Sequence, residues 1–272
     1  MDSSFAGVYE AAEWYAIAFG YRDVPKECDF LTGLADEFGC GAGSFLELAC
    51  GPGFHALEMA RRGVRSAGLD LEPSMVRLLE REAAREGLTV TALQADMRSF
   101  EVQTPFHLVT TLLDSCAHLL TNEDMLAHLN RVAAALVPGG IYVLEFSHPA
   151  DCFGVRKTAG TDWTMKSNGT EVHMQWGKDD DPFDPITEIS DVTVTLDVTE
   201  EGRETRTLRE VVRTRSWTYQ TLRALLDQTE PFTPVAWYGA LDRTVPFDNA
   251  ESAWRMVAVL RRTDGRRDCG RT

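Results

Sequence analysis

A chain of 272 residues can bury one sizeable core, either as a single large domain or as a domain carrying an insertion. Its composition is 44% hydrophobic and 25% charged, and no apolar run approaches the roughly 18 residues of a membrane helix, so a soluble enzyme is expected rather than a membrane protein. The formal net charge of −15 repels a phosphate backbone and sets nucleic acid aside as a substrate. The start, Met1-Asp2-Ser3-Ser4, lacks a basic segment followed by an apolar one, so no secretory signal is read and a cytoplasmic location is expected. The six cysteines show neither CxxC spacing nor clustering with histidine, which predicts free thiols and no metal site.

In chain order, residues 5–19 read as a helix with bulk from Tyr9, Trp14, Tyr15 and Phe19, and Lys26 to Phe38 as a second helix. From Phe45 strand and helix alternate. Strands are expected at 45–50, 64–70, 88–94, 106–112 and 141–146, and helices at 54–62, 73–86 and 122–136. Pro73 is an allowed first-turn residue and Gly87 a stop. Pro138-Gly139-Gly140 reads as a turn. Five strands alternating with helices imply an α/β, doubly wound, mostly parallel sheet that binds ligands beyond its carboxyl edge. Past His148-Pro149 the alternation breaks. A short strand at 172–176, an acidic loop at 179–182 and alternating runs at 189–198 and 205–213 predict an inserted antiparallel hairpin or sheet over 150–215. A helix at 217–228 and strands near 232–237 and 254–260 return to the core, and the basic polar tail 263–272 is expected to be disordered.

The chemistry concentrates at Glu47-Leu48-Ala49-Cys50-Gly51-Pro52-Gly53, an apolar strand meeting a glycine turn that opens a helix. Unpaired first-turn amides suit an anionic group, and glycine admits a ligand close to the backbone. Asp70, at the end of the second strand, is placed to accept from a ribose diol. The local pattern Gly51-Pro52-Gly53-Phe54-His55-Ala56 also fits a dinucleotide turn, which keeps an NAD-dependent oxidoreductase open. Glu47, the pair Asp96-Met97 and the two preceding helices favour instead a nucleoside-like ligand with a charged amino-acid tail.

With Leu69-Asp70-Leu71-Glu72-Pro73, Gln94-Ala95-Asp96-Met97-Arg98, Leu112-Leu113-Asp114-Ser115 and Leu136-Val137-Pro138-Gly139-Gly140 in the same order, the chain resembles the class I S-adenosylmethionine-dependent methyltransferases over residues 40–150. The resemblance implies a Rossmann-like seven-stranded sheet, with a core of 44–149 and 216–262 and an N-terminal helical cover of 1–43. It implies S-adenosylmethionine as cofactor. Glu47, Ala49, Gly51 and Gly53 would lie at the methionine portion, Asp70 with Leu71 at the ribose, Asp96 and Met97 at the adenine, and Leu113 along the cofactor. Ala49 departs from the family's glycine.

On the acceptor side His118 follows the fourth-strand motif, and His148 ends the fifth strand. Tyr9 and Tyr15 fall in the N-terminal helix that lies over the cofactor in similar small-molecule methyltransferases, and the segment around Tyr9, with Glu10 as the acid, resembles the N-terminal Tyr-acid segment of sugar-amine and glycine-type N-methyltransferases. The expected function is methyl transfer to a small molecule, with nitrogen ahead of oxygen as acceptor. A non-catalytic S-adenosylmethionine-binding protein is a third class. The 150–215 insertion is expected to cover the acceptor or to form a contact between two copies.

Overall fold

The computed structural model describes residues 7–38, 40–152 and 162–263. Phe5, Ala6, the tail from 264 and the stretch 153–161 of the expected insertion lie outside these residues. The helices are α1 (Ala12–Ala18), α2 (Val24–Glu37), α3 (Phe54–Arg61), α4 (Pro73–Glu86), α5 (Asn122–Ala135), α6 (Pro149–Cys152) and α7 (Tyr219–Gln228). Strands β1 (Ser44–Leu48), β2 (Arg65–Asp70), β3 (Val90–Gln94), β4 (Phe106–Thr111), β5 (Leu136–Ser147), β11 (Phe232–Tyr238) and β12 (Arg255–Arg262) form one sheet. A second sheet holds β6 (Asp162–Ser167), β7 (Thr170–Trp176), β8 (Phe183–Asp184), β9 (Ile189–Glu200) and β10 (Arg206–Arg215). No helix among the described residues is long and apolar enough to cross a membrane.

The first sheet runs β11-β12-β5-β4-β1-β2-β3, with β12 antiparallel to both neighbours and the other pairs parallel. Strand order reverses between β1 and β4, which opens a crevice at their carboxyl ends. Both faces are covered, so the strands read as continuous apolar runs. Alternate residues enter opposite cores: Leu46, Leu48, Tyr142 and Leu144 pack with α5 and α7, while Phe45, Ile141 and Val143 pack with α2 and α3. Each fully buried aliphatic side chain contributes about 1.5–3 kcal/mol of transfer free energy.

Local signals set the helix ends. The Asp23 carboxylate accepts from the Lys26 amide to cap α2, and Thr121 caps α5. Glu72 caps α4, which starts at Pro73 and stops at Gly87 with φ +67°.

Two expectations are corrected, and the expected antiparallel insertion is found as a full sheet. The first helix begins at Ala12, because the preceding segment is pinned elsewhere: the Val8 amide donates to Glu210 on β10, and the Tyr9 carbonyl accepts from Ser74 Oγ. Pro138-Gly139-Gly140 lies inside β5, whose pairing with β4 shifts register there, Phe106 facing Leu136 and Leu108 facing Ile141. The inserted hairpin is part of a five-stranded sheet in which β7 pairs with β9 as well as β6. Its apolar face (Val172, Met174, Val194, Leu196) buries against Ala11, Ala18 and Phe19 of the α1 region, and Trp163 Nε1 donates to the Ala18 carbonyl at 2.7 Å. In the acidic loop Asp181 accepts from the amides of Lys178 and Thr193.

A chain of buried charges crosses the first sheet's carboxyl edge. Glu47 Oε1 lies 2.7 Å from His55 Nδ1, and His55 Nε2 lies 2.7 Å from Glu27 Oε2. Glu27 pairs with Arg22 at 2.9 Å, Arg22 approaches Glu145 at 3.6 Å, and Glu145 pairs with Arg255 at 3.1 Å. The signs alternate and cancel only when His55 is protonated. Burial opposes that proton, but the Glu47 charge and hydrogen bonds to Glu27 and Glu47 outweigh it and raise the His55 pKa to about 9.

The stabilisation from His55 is therefore complete below its unfolded value near 6.5 and is lost as pH rises through about 9. Denaturant titrations should show wild-type stability falling by on the order of 3 kcal/mol across that window. A His55→Gln variant should be less stable at pH 6.5 and should lack this slope; an unchanged slope would show that His55 is neutral in the fold.

Candidate active site

The glycine turn leaves β1 through three left-handed residues: Ala49 at φ +50°, Gly51 at +51° and Gly53 at +75°. At Gly53 a Cβ would stand 2.5 Å from Leu79 Cδ1, so helix α4 itself enforces glycine there. Asp70 reaches across from β2 and clamps the turn: Oδ2 accepts from the Gly51 amide at 2.7 Å and Oδ1 from the Glu72 amide at 2.9 Å. Burial raises its pKa, against the pull of those two amides. Each oxygen keeps a second lone pair for a ligand hydroxyl. Beside it Leu71 is 66% exposed, an apolar surface left open at the strand end.

Glu47 is placed differently from expectation. It is buried beneath the turn, with Oε1 on His55 and Oε2 accepting from the Ala56 amide at 3.1 Å. It positions the turn and the first turn of α3, and both its oxygens are engaged by protein. His55 and Glu27, which complete this support, were not singled out from sequence. A histidine two residues past the last turn glycine was the available signal.

At the end of β3, Asp96 is gripped by Arg98, whose guanidinium hydrogen bond lowers its pKa. Met97 packs against the core, and its carbonyl accepts from His128 Nδ1 at 2.9 Å. Burial lowers the His128 pKa to about 4, so this histidine is neutral, and its Nε2 accepts from Tyr142 Oη at 2.5 Å.

On the acceptor side Leu113 and Asp114 both adopt positive φ, +53° and +59°, and the Leu113 amide donates to Glu145 Oε2 at 2.8 Å. A 3₁₀ turn, Ser115–His118, follows. His118 stands at the mouth of the cleft, where Tyr9 Oη lies 3.3 Å from its Nε2. Protein packed around the ring lowers its pKa. Burial raises the pKa of Tyr9 and Tyr15, which keeps both phenols neutral. Tyr15 stacks on Phe19 at 4.4 Å and leans over Gly51. The structure thus gathers Tyr9, Tyr15 and His118 at one cleft beside the glycine turn.

His148 does not join them. It is buried, Nε2 donates to the Asp248 carbonyl at 3.0 Å and Nδ1 accepts from the Ala150 amide at 3.1 Å. With both nitrogens engaged it is a structural anchor, which corrects its assignment as an acceptor-side base. Asp114 is the residue missed. Ser147 Oγ donates to it at 2.7 Å, and burial raises its pKa to about 6 against the opposing pull of that hydroxyl and of Arg255. An acid at the carboxyl end of β4 was its only mark in the sequence.

Residues 45–140 match the family described as methyltransferase domain. Two curated relatives come from Streptomyces. The dTDP-3-amino-3,6-dideoxy-alpha-D-glucopyranose N,N-dimethyltransferase of Streptomyces fradiae is 31% identical over 46% of this chain and 47% of its own length. The dTDP-3-amino-3,4,6-trideoxy-alpha-D-glucopyranose N,N-dimethyltransferase of Streptomyces venezuelae is 33% identical over 46% and 51%. The chain thus matches about half the length of these relatives. A solved S-adenosylmethionine-dependent methyltransferase from Clostridium acetobutylicum superposes with a TM-score of 0.74 at 16% identity, covering 93% of this chain and 97% of that one, and so shares the fold.

Ala49 stands where the family pattern has glycine, and it pays for this in backbone strain. Ala49→Gly should raise stability by about 0.5–1 kcal/mol, the left-handed penalty less the added unfolded-state entropy. Equal denaturation midpoints would show that the turn carries no strain at Ala49. The matched domain, the strand order and the glycine turn clamped by Asp70 together support a class I S-adenosylmethionine-dependent methyltransferase family for this chain.

Proposed function

We propose that the protein transfers the methyl group of S-adenosylmethionine to an amine nitrogen of a small molecule, with amino sugars as the leading acceptor class, within cytoplasmic metabolism. The observation that carries this is the neutral Tyr9–His118 pair at the cleft mouth, beside a glycine turn over which Tyr15 leans. The residues fit the cofactor: the Gly51–Gly53 turn would hold its amino-acid portion, Asp70 with Leu71 its ribose, and Asp96 and Met97 would border the adenine. Glu47 would act through the turn it supports.

Methyl transfer from a sulfonium is an in-line displacement, so holding the acceptor against the methyl group supplies much of the rate. The cofactor brings the activated methyl. The chain's own part is to orient the acceptor, exclude water with α1 and the second sheet, and keep the nitrogen lone pair free. A neutral imidazole at His118 serves that last need, because it accepts a hydrogen bond from the amine without adding charge beside a cationic cofactor. The second sheet is read as a cover, supported by the packing of its apolar face on the α1 region.

Mass spectrometry of an amine library incubated with protein and S-adenosylmethionine tests the activity; absence of cofactor binding by calorimetry, or preferential binding of NAD, would sink it. Asp70→Ala should weaken S-adenosylmethionine binding by about 1–3 kcal/mol. An unaltered dissociation constant would remove Asp70 from the site. His118→Ala should lower kcat on the order of 10²-fold while leaving cofactor affinity in place. A loss confined to cofactor binding would make His118 structural.

A further inference from the structure

A cavity of about 210 Å³ opens at the carboxyl ends of β4 and β5, where the second sheet closes over the first. Asp114, Ser147 and Asp151 line it from the core side, and Trp176 and Arg215 from the second sheet, with Trp217 beside them. Asp114 is followed by the 3₁₀ turn that carries His118 at its far end, so the cavity adjoins the cleft described above.

Its charge is one-sided. Arg215 is already engaged: it pairs with Glu188 at 3.0 Å, donates to Asn122 Oδ1 at 2.8 Å, and its guanidinium lies 4.0 Å from the Trp217 ring centre. Among the described residues the wall therefore sets two carboxylates, Asp114 and Asp151, against one cation that is neutralised by its partner. A diphosphate entering this space would lose its hydration and meet negative charge. An ammonium would meet a carboxylate in reach and the indole of Trp176, a surface that attracts cations.

Resting on the N-methyl transfer reading, we infer that this cavity takes the acceptor as a cationic amine bearing no phosphate, with Asp114 holding the ammonium and receiving its proton. This differs from the nucleoside-diphosphate-linked amino sugars for which the two Streptomyces relatives are named. The ammonium passes one proton to the Asp114 carboxylate, which becomes a carboxylic acid. The freed nitrogen lone pair forms the N–C bond as the C–S bond breaks, and that bond's electron pair stays on sulfur. The products are a protonated N-methylamine and S-adenosylhomocysteine, and the Asp114 proton leaves to solvent as the product departs. The other charged groups around Asp114 are Arg255 on β12 and Glu145 on β5, with Asp151 on the same wall and Arg215 across the cavity. Burial that holds Asp114 at about 6 narrows the proton-affinity gap to an ammonium.

The test titrates the full chain, loaded with S-adenosylhomocysteine, by calorimetry with glucosamine, benzylamine and thymidine diphosphate. Both amines should bind saturably, and thymidine diphosphate should not. Asp114→Asn, nearly isosteric, should weaken amine binding about tenfold or more with the S-adenosylhomocysteine affinity and melting temperature retained. Asp151→Asn, at the same wall, should weaken it less. Saturable thymidine diphosphate binding, failure of both amines to bind, or amine binding unchanged in both variants overturns the inference. In turnover assays, a higher kcat/KM for a thymidine-diphosphate-linked 3-amino sugar than for the free amino sugar overturns it while N-methyl transfer stands. Methylation of hydroxyl acceptors alone overturns the N-methyl reading instead.

Discussion

The fold depends on one electrostatic constraint, the alternating buried chain Glu47–His55–Glu27–Arg22–Glu145–Arg255. Its members come from β1, α3, α2, the loop before α2, β5 and β12, so it fastens the α2–α3 layer to the sheet at the carboxyl edge. Leaving any one charge unpaired in this setting is far costlier than the pair is stabilising, so the chain specifies arrangement more than it adds stability. At one end Glu47 accepts from the Ala56 amide and fixes the first turn of α3. Towards the other, Glu145 accepts from the Leu113 amide and holds the strained exit from β4. A single connected network thus sets the cofactor turn and the acceptor side of the crevice in one frame.

That frame explains the division of labour between rigid and covering parts. The turn residues are held by backbone geometry, by Leu79 pressed against Gly53, and by Asp70 bridging two amides. The acceptor side is assembled from pieces with no local sequence relation: Tyr9 before α1, Tyr15 within it, His118 after β4 and the inner face of the second sheet. Under the proposed methyl transfer, whose rate comes from alignment, the rigid half would hold the donor and the assembled half would set what is presented to it.

The sheet was legible because its signals are periodic. Two-sided burial writes β1 and β5 as apolar runs, and the start of α4 at Pro73 and its stop at Gly87 are local stereochemistry. Asp70 was legible for the same reason, as an acid at a strand end. Glu47 was legible as a member of the motif but not in its task, since nothing in the sequence says that His55 turns back to meet it. His148 and Asp114 exchanged roles: the histidine type suggested a base, yet Asp248 and Ala150 occupy it, whereas Asp114, read only as part of a motif, faces a cavity. Tyr9 kept its place near the cofactor turn but left the helix, because Glu210 and Ser74, both remote in sequence, hold the segment around it.

By itself the sequence determined the α/β alternation, the left-handed glycine turn and the acidic residues at the ends of β2 and β3, because each is encoded within a few residues or within one period of an element. Only the tertiary structure decided the protonation of His55, the engagement of His148, the joining of Tyr9 to His118 and the acidic character of the cavity at Asp114. Those properties depend on burial and on partners tens to hundreds of residues apart, and neither distance nor dielectric is written in local pattern.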